Sequence, residues 1–251
     1  MMSHLAKSSH VASALSVVDI LSVLYTGSAN ISKNNSLNVD RDIVILSKGH
    51  AASALYSVLA LQDFFPKDWL RSYCKNGSFL GGHVTFGSVP GVELSTGSLG
   101  HGLPYGLGIA MSRKRSGIKG RVFVVLSDGE CNEGTTWESA MLANHHHLDN
   151  LVVIIDRNRI QSLSTTESTL KLEPLIDKWE AFGWDTVSIS GHDYKEISKS
   201  LENQNKPKCL IANTTKGKGV SFMENSVLWH YKSPNEPEIK LALQQLNESY
   251  K

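Results

Sequence analysis

Five short runs of β-branched and other apolar residues recur along this 251-residue sequence, and each pair of runs is separated by a stretch long enough for a helix. Such runs are typical of buried strands, and their alternation with helices predicts a parallel sheet covered on both faces. The sequence therefore predicts a doubly wound α/β fold. We expect strands at 42–46, 122–126, 151–156, 185–189 and 209–213. We expect helices at 11–25, 50–61, 67–74, 103–114, 134–147, 173–182 and 193–203.

Charge and targeting signals narrow the class of protein. A formal net charge of +1 gives no field that would attract nucleic acid or an anionic membrane, so we expect neither as a partner. The first residues do not resemble a secretion signal, and we expect no apolar run long enough to span a membrane. Three scattered cysteines favour reduced thiols and a cytoplasmic location. We expect one main domain over residues 1–233 and a tail over 234–251 that ends in an amphipathic helix.

Polar loops follow four of the predicted strands. In a doubly wound sheet, ligands collect outside the carboxyl ends of the strands. The loops there read "SKGHAAS", "SDGECNEG", "RNRIQS" and "TTKGKG", and a fifth polar loop, glycine-rich, covers 81–104. We therefore expect the functional site at this one edge of the sheet.

Two of these loops suggest a metal site. Asp128 follows the strand at 122–126, and Asn158 follows the strand at 151–156. If those strands are neighbours, both side chains emerge at the same edge, and with the main-chain carbonyl of Ile160 they form an all-oxygen set. Such a set suits Mg²⁺, with phosphate oxygens and water as further ligands. Gly129 leaves room for a diphosphate to approach the backbone. A second interpretation stays open, in which Asp128 only caps the following helix.

The stretch "SDGECNEGTTWESAMLANHHHLDNLVVIIDRNRIQ" resembles the thiamine diphosphate fingerprint of transketolases. Four further stretches are similar to that family and stand in its order. They are "SSHVASALSVVDILSVLY", "RDIVILSKGHAASALY", "GGHVTFGSVPGVELSTGSLGHGL" and "TTKGKGVSFMENSVLWHYKSP". The resemblance covers almost the whole chain, and it implies the fold of the diphosphate-binding domain of a thiamine diphosphate enzyme.

The resemblance also implies roles for individual residues. Asp128, Asn158 and the carbonyl of Ile160 would bind Mg²⁺, for which Ca²⁺ or Mn²⁺ can substitute. The expected cofactor contacts are His50, Gly97, Ser98, Leu99, Gly129, Glu130, Asn158 and His230. The expected catalytic residues are His10, His50, His83 and His230, which would bind sugar hydroxyls and move protons, a task that suits groups titrating near neutrality.

Other charged residues have simpler interpretations beside the functional ones. Glu133 would approach the partner's catalytic glutamate across a subunit interface, but it could equally well stabilise a helix N-terminus. Lys216 and Lys218 could meet phosphate charge, although solvated loop lysines are the default expectation. The run of histidines at 145–147 is expected to be structural, because consecutive positions on a helix point in different directions.

The implied activity depends on a second polypeptide. In this family a pyrimidine-binding domain supplies the glutamate that activates the cofactor, and the chain stops near where that domain would begin. The resemblance implies the N-terminal subunit of a split transketolase. It would form a heterotetramer with its partner and transfer a two-carbon ketol unit from a ketose, expected to be a phosphate, to an aldose. The alternatives are a non-catalytic regulatory subunit or one similar to a component of deoxyxylulose-phosphate synthase.

Three departures from the family's pattern leave the sugar substrate open. One is the segment before His10, which is shorter than usual in that family and is expected to lack an initial helix. The other two are changes of residue type. The residues after His10 read "VAS" where transketolases typically have Pro-Gly-Gly, and Ser127 stands where glycine is usual. The first change affects the loop that places His10. The second is small and leaves the expected metal ligands intact.

Overall fold

The computed structural model describes residues 1–202 and 204–249, and it confirms the predicted fold class. One parallel sheet has the strand order β1-β2-β3-β5-β4. Its strands are β1 (Ile43–Leu46), β2 (Val122–Ser127), β3 (Leu151–Arg157), β4 (Asp185–Ser190) and β5 (Lys208–Asn213). Every predicted strand is found, each with one end displaced by one residue.

Nine α-helices surround the sheet within the described residues. They are α1 (Met2–Ala6), α2 (Val11–Val23), α3 (Ala52–Leu61), α4 (Gly102–Arg115), α5 (Gly134–His145), α6 (Thr166–Thr169), α7 (Leu175–Ala181), α8 (Tyr194–Ser200) and α9 (Glu236–Ser249). The sequence did not predict α1 and α6, because four or five residues are too few to show helical periodicity. The predicted helix at 67–74 is instead a 3₁₀ helix, Lys67–Ser72, as is common for short connecting segments. The prediction at residue 203 and the last two residues of the predicted tail lie outside the described residues.

The inner strands are mostly apolar because both faces of the sheet are covered. Successive side chains point to opposite faces, so Phe123 and Val125 pack with α2 and α3, while Val124 and Leu126 pack with α4 and α5. All four side chains are fully buried. In β4, at the edge of the sheet, Ile189 is buried whereas Asp185, Ser188 and Ser190 are exposed. The two cores hold the carboxyl ends of the strands rigidly in place.

The first long helical segment corrects one expectation from the sequence. The 18 residues Val11–Ser28 are long and apolar enough to cross a membrane by length and composition alone. In the structure this segment is a core element, since Val17, Ile20 and Leu21 are fully buried against β1, β3 and α3. A core helix of a globular fold passes the same test of length and hydropathy.

The C-terminal helix packs on the rest of the chain. Ala242 of α9 lies in a small buried cluster with Ala12, Val220, Met223 and Trp229. This cluster joins the start of α2 to the segment after β5. Two stretches far apart in sequence, one ending at His10 and one at His230, are thereby brought together.

Candidate functional site

A cavity of about 260 Å³ opens at the carboxyl edge of the sheet, where the sequence predicts the site. All four loops predicted to lie there contribute to it, together with the start of α2 and the glycine-rich loop. It is lined by His10, Ser13, His50, His83, Gly97, Leu99, Ser127, Asp128, Gly129, Asn158, Ile160, Gln161, Ser162, Lys216, His230 and Tyr231.

A larger cavity of about 720 Å³ lies at the other edge of the sheet, lined by residues 27–32, 35, 40, 42 and 119–121. Its arginine, Arg121, donates hydrogen bonds to the carbonyls of Leu201 and Ser28 at 2.7 and 2.8 Å. This guanidinium is occupied within the fold, and no histidine is among the described residues that line the cavity. We therefore place the functional site in the smaller one.

The metal corner forms because β2 and β3 are neighbours, as predicted. Ser127 pairs with Asp156 in the parallel register, so Asp128 and Asn158 follow one and two residues later at the same end of the sheet. Asp128, Asn158 and Ile160 all line the one cavity. Between the last two, Arg159 adopts the left-handed conformation with φ of 67°. The three oxygen-bearing residues predicted from the sequence are therefore brought together.

The carboxylate of Asp128 is buried and held by backbone donors. One oxygen accepts the amide N–H of Gly129 at 2.8 Å, which is the capping contact of the alternative interpretation. The other accepts the N–H of Arg159 at 2.6 Å and a guanidinium N–H of Arg157 at 3.2 Å. Burial, and then the neighbouring carboxylate of Asp156, raise the pKa of Asp128. Capping and metal binding are compatible, because different lone pairs of the carboxylate serve each.

The chemistry of these donors fits a hard divalent cation. One carboxylate, one amide oxygen and one carbonyl are the ligand types that Mg²⁺ takes alongside phosphate oxygens and water. A cation in this corner would favour the ionised form of Asp128, whose pKa burial and then the charge of Asp156 raise. Among residues 1–202 and 204–249, no three His, Cys, Asp or Glu side chains cluster as metal ligands. A metal site in this corner therefore depends on the amide oxygen of Asn158 and the main-chain carbonyl of Ile160.

The four histidines singled out in the sequence meet across the cavity. The ring centroid of His10 lies 5.2 Å from that of His50, 6.1 Å from that of His83 and 5.1 Å from that of His230. His10 begins α2 in the left-handed conformation, and its amide donates to the carbonyl of His230 at 3.1 Å. The Nδ1 atom of His10 is buried without a hydrogen-bond partner. These rings come from four separate segments, so only the fold brings them together.

Burial and neighbouring cations keep three of these rings neutral. Burial, followed by the charges of His83 and Lys216, lowers the pKa of His10 to about 4. Burial and then Lys216 lower the pKa of His230 to about 3. The pKa of His50 also falls well below its usual value, chiefly through burial and then through Lys48. At neutral pH a neutral imidazole can both donate and accept, as proton movement requires.

The position of Lys216 differs from the default expectation of a solvated loop lysine. Its side chain is buried, and its ammonium donates to the carbonyl of Ile160 at 3.2 Å and lies 2.7 Å from Nδ1 of His230. Burial, and then the charge of Lys48, lower its pKa to about 8. Its neighbour Lys218 is exposed, as expected. The position of Lys216 after β5 was the available signal.

Some of the expected cofactor contacts line the cavity, and others do not. Gly97 and Leu99 line the cavity, whereas Ser98 is exposed and does not. Glu130 is fully buried and also lies outside the cavity lining. Its carboxylate accepts a hydrogen bond from Ser47 Oγ and from the amides of Gly100 (2.9 Å) and Ser127 (3.2 Å). This carboxylate ties three loops together under the cavity, a role that no local sequence pattern indicated.

Glu133 and the histidines at 145–147 lie away from the cavity. Glu133 is exposed at the N-cap position of α5, and its side chain makes no capping hydrogen bond. The helix ends at His145, and His146 and His147 form the turn after it, as the structural interpretation predicts. Sequence reasoning did not identify Tyr231, the aromatic residue beside His230, as part of the site. Its ring lies 5.7 Å from that of His10 and is largely exposed at the cavity mouth.

Close backbone contacts explain a glycine in the loop after β1. A Cβ at Gly49 would lie 2.4 Å from the carbonyl oxygen of Thr96. The hydroxyl of Thr96 donates to the carbonyl of Leu46 at 2.6 Å, so the glycine-rich loop is clamped onto the end of β1. This contact fixes His50 relative to Gly97 across the cavity.

The fold and the cavity define the class: a doubly wound α/β domain with a cavity, lined by polar residues, at the carboxyl edge of its parallel sheet. A family model described as "Transketolase, thiamine diphosphate binding domain" matches residues 2–249. The chain therefore belongs to the family of transketolase thiamine diphosphate-binding domains.

Individual relatives agree with this family. An apulose-4-phosphate transketolase subunit of Actinobacillus succinogenes is 43% identical over 242 residues, covering 95% of this chain and 88% of that one. A 6-deoxy-6-sulfo-D-fructose transketolase subunit of Clostridium sp. is 37% identical over 243 residues, covering 95% of this chain and 88% of that one. Both are named as one subunit of a transketolase, which implies that each works with a partner in a split enzyme.

A solved structure gives the same fold. The transketolase of Campylobacter jejuni superposes with a TM-score of 0.92 at 33% sequence identity, covering 98% of this chain. This chain spans 40% of the length of that one.

Proposed function

We propose that this chain is the diphosphate-binding subunit of a two-subunit transketolase, which transfers a two-carbon ketol unit from a ketose to an aldose. The observation that carries the proposal is the convergence, on one cavity, of an oxygen-donor corner and four histidines. Family membership and the names of the relatives support it independently.

The metal corner is proposed to hold Mg²⁺ through Asp128, Asn158 and the carbonyl of Ile160. Gly129 and Asn158 would also contact the cofactor diphosphate, and the backbone of residues 97–99 would line its other side. Bound thiamine diphosphate supplies an electron sink for cleavage of the carbon–carbon bond next to a carbonyl. The protein's part is to bind, orient and enclose the reactants.

The histidines are proposed to handle the sugar hydroxyls. His10, His50 and His230 have lowered pKa values, so each carries one ring N–H donor and one acceptor at neutral pH. The exposed ring of His83 stands at the rim, within 6.1 Å of His10. Such groups can hydrogen-bond a hydroxyl and take or return its proton during transfer.

A partner subunit is proposed to complete the site. It would carry the pyrimidine-binding domain and the glutamate that activates the cofactor, and two pairs would form a heterotetramer. Glu133 is proposed to face this partner. Its exposure and its lack of a side-chain capping bond leave the carboxylate accessible for such a contact.

The substrates are proposed to be anionic sugars. One relative is named for apulose 4-phosphate and another for 6-deoxy-6-sulfo-D-fructose. Both names describe sugars with an acidic group at or near one end. Tyr231 lies at the mouth of the cavity, where a sugar would enter, and Ser13, one of the changed residues after His10, lines the same cavity. We propose that the complex acts in the cytoplasm.

An activity assay with and without the partner tests this proposal. The chain is purified alone and together with a partner subunit that has a pyrimidine-binding domain, and ketol transfer between a ketose phosphate and an aldose is followed. We expect steady turnover by the pair only. Steady turnover by the isolated chain would refute the partner requirement. A fully assembled pair that binds thiamine diphosphate but transfers nothing would favour the regulatory alternative.

A further inference from the structure

Asp156, the residue two positions before Asn158, has the most saturated carboxylate near the site. Its side chain is completely buried and forms an ion pair with Lys48, whose side chain is also completely buried. It further accepts hydrogen bonds from Ser16 Oγ at 2.6 Å, from Thr214 Oγ1 and from the amide nitrogen of Asn158 at 3.3 Å. Four donors thus occupy two oxygens, which leaves this carboxylate no freedom to turn.

The contact with Asn158 has a directional consequence. A side-chain amide presents an oxygen that only accepts and a nitrogen that only donates, and the two ends look alike in shape. A carboxylate opposite Lys48 can only accept, so it selects the nitrogen of Asn158. The amide oxygen then points the other way, where it accepts the N–H of Ile160 at 3.1 Å in the corner proposed for the metal.

We propose that Asp156, fixed by Lys48, is a positioning residue that orients the amide of Asn158 so that its oxygen faces the metal. This inference rests on the proposed metal site and adds the cause of its geometry. Neither Asp156 nor Lys48 lines the cavity, so both act through Asn158 and not on the cofactor. Metal sites commonly depend on such outer partners, and removing one typically weakens metal binding about 10–100-fold.

Two other roles for the pair must be separated from this one. The negative charge of Asp156 could attract the metal through space, or the pair could stabilise only the fold by joining α2, β3 and the loops after β1 and β5. Substitutions that keep or remove the hydrogen-bond acceptor distinguish these roles.

The deciding variant is the double substitution Lys48→Met and Asp156→Leu. It removes both charges together, which avoids an unpaired buried ion and is often tolerated by a fold. The chain, reconstituted with its partner and thiamine diphosphate, is titrated with Mn²⁺, and free Mn²⁺ is measured by electron paramagnetic resonance. We expect the Mn²⁺ dissociation constant to rise about 10–100-fold in protein that circular dichroism shows to be folded. An unchanged constant would overturn the proposal.

The variant Asp156→Asn provides a second, independent test of the proposal. Its amide oxygen can still accept from Lys48 and Asn158, so we expect Mn²⁺ affinity to stay within about threefold of wild type, even though the loss of charge lowers the unfolding midpoint. A large loss of affinity in folded Asp156→Asn protein would show that charge, not orientation, matters. This variant decides the question even if the double variant fails to fold.

Two controls complete the design. Asp42→Asn changes a carboxylate that is buried near the opposite end of β1, where it accepts the N–H of Asn30 at 2.7 Å. It should lower stability without changing Mn²⁺ affinity. Asp128→Ala should lose Mn²⁺ affinity. If wild type and Asp128→Ala bind Mn²⁺ equally, the metal site itself is wrong. If Asp128→Ala loses affinity but the double variant binds Mn²⁺ as tightly as wild type, only the orienting role is wrong.

Discussion

The ammonium group of Lys216 lies 2.7 Å from the ring Nδ1 of His230, and both side chains line the same cavity. The contact links the loop after β5 to the segment before α9, two parts of the chain that share no secondary structure. It also places a buried positive charge beside the carbonyl of Ile160, at the corner proposed for the metal and next to Gly129 and Asn158, which are proposed to contact the cofactor's diphosphate.

Removing this charge should weaken cofactor binding. We expect Lys216→Met to raise the dissociation constant of thiamine diphosphate at least about tenfold, because hydrogen bonds to charged groups contribute roughly 1.5–3 kcal/mol. Isothermal titration calorimetry on the reconstituted pair in saturating Mg²⁺ measures this. Lys218→Met, an exposed neighbour in the same loop, is the matched control and should stay within about twofold of wild type. Equal affinities for the two variants would remove Lys216 from the binding site.

His10 should affect turnover more than binding. We expect His10→Gln to lower kcat about 10²–10⁴-fold if the ring moves protons, with thiamine diphosphate affinity nearly unchanged. Steady-state kinetics and a cofactor titration separate these effects. The exposed His101, which does not line the cavity, provides the control His101→Gln. A His10→Gln variant as active as this control would contradict the role.

The buried histidines should make stability depend on pH. The pKa of His10 falls from 6.5 to about 4 on folding, and that of His230 to about 3. At a pH between the folded and the unfolded pKa of each histidine, the unfolded chain binds more protons than the folded one. The free energy of unfolding should therefore decrease as pH falls below 6.5. Above pH 6.5 this contribution is fully present. Urea unfolding at pH 7 and pH 5 measures the difference, which should be smaller in His10→Gln than in wild type; an identical difference would contradict the burial effect.

Two glycines should respond to substitution in opposite directions. Gly49→Ala places a methyl group 2.4 Å from a backbone carbonyl oxygen, and we expect it to destabilise the fold by roughly 1–3 kcal/mol. Gly108 lies on the exposed side of α4 with nothing near its missing Cβ, so Gly108→Ala should stabilise by about 1 kcal/mol. Chemical denaturation compares both with wild type. A neutral Gly49→Ala variant would mean that the glycine-rich loop yields easily.

The features that could be predicted from the sequence are the recurring strand runs and the residues that directly follow them. Strand runs such as 151–156 have a local signature, and Asp128 and Asn158 could be paired because consecutive strands usually neighbour one another. The convergence of His10 with His230 was expected only from the family resemblance, since no local pattern links residues 220 positions apart.

The roles of buried charged side chains were the hardest to predict from the sequence. Lys48, Glu130 and Asp156 are charged residues in loops or at a strand end, where exposure is the usual state. Their burial depends on partners from other segments, such as Ser47 for Glu130 and Thr214 for Asp156. Nothing in the neighbouring residues identifies those partners, so only the folded structure reveals that these groups support the site.

The most direct test of the central proposal is metal-dependent binding of thiamine diphosphate by the reconstituted pair. Calorimetric titrations are made with Mg²⁺ and with the metal removed by chelation, for wild type and for Asp128→Ala. We predict tight binding by wild type only when Mg²⁺ is present, and loss of that metal dependence in a folded Asp128→Ala protein. Equal, metal-independent binding by both proteins would contradict the proposal that Asp128 anchors the cofactor through a metal ion.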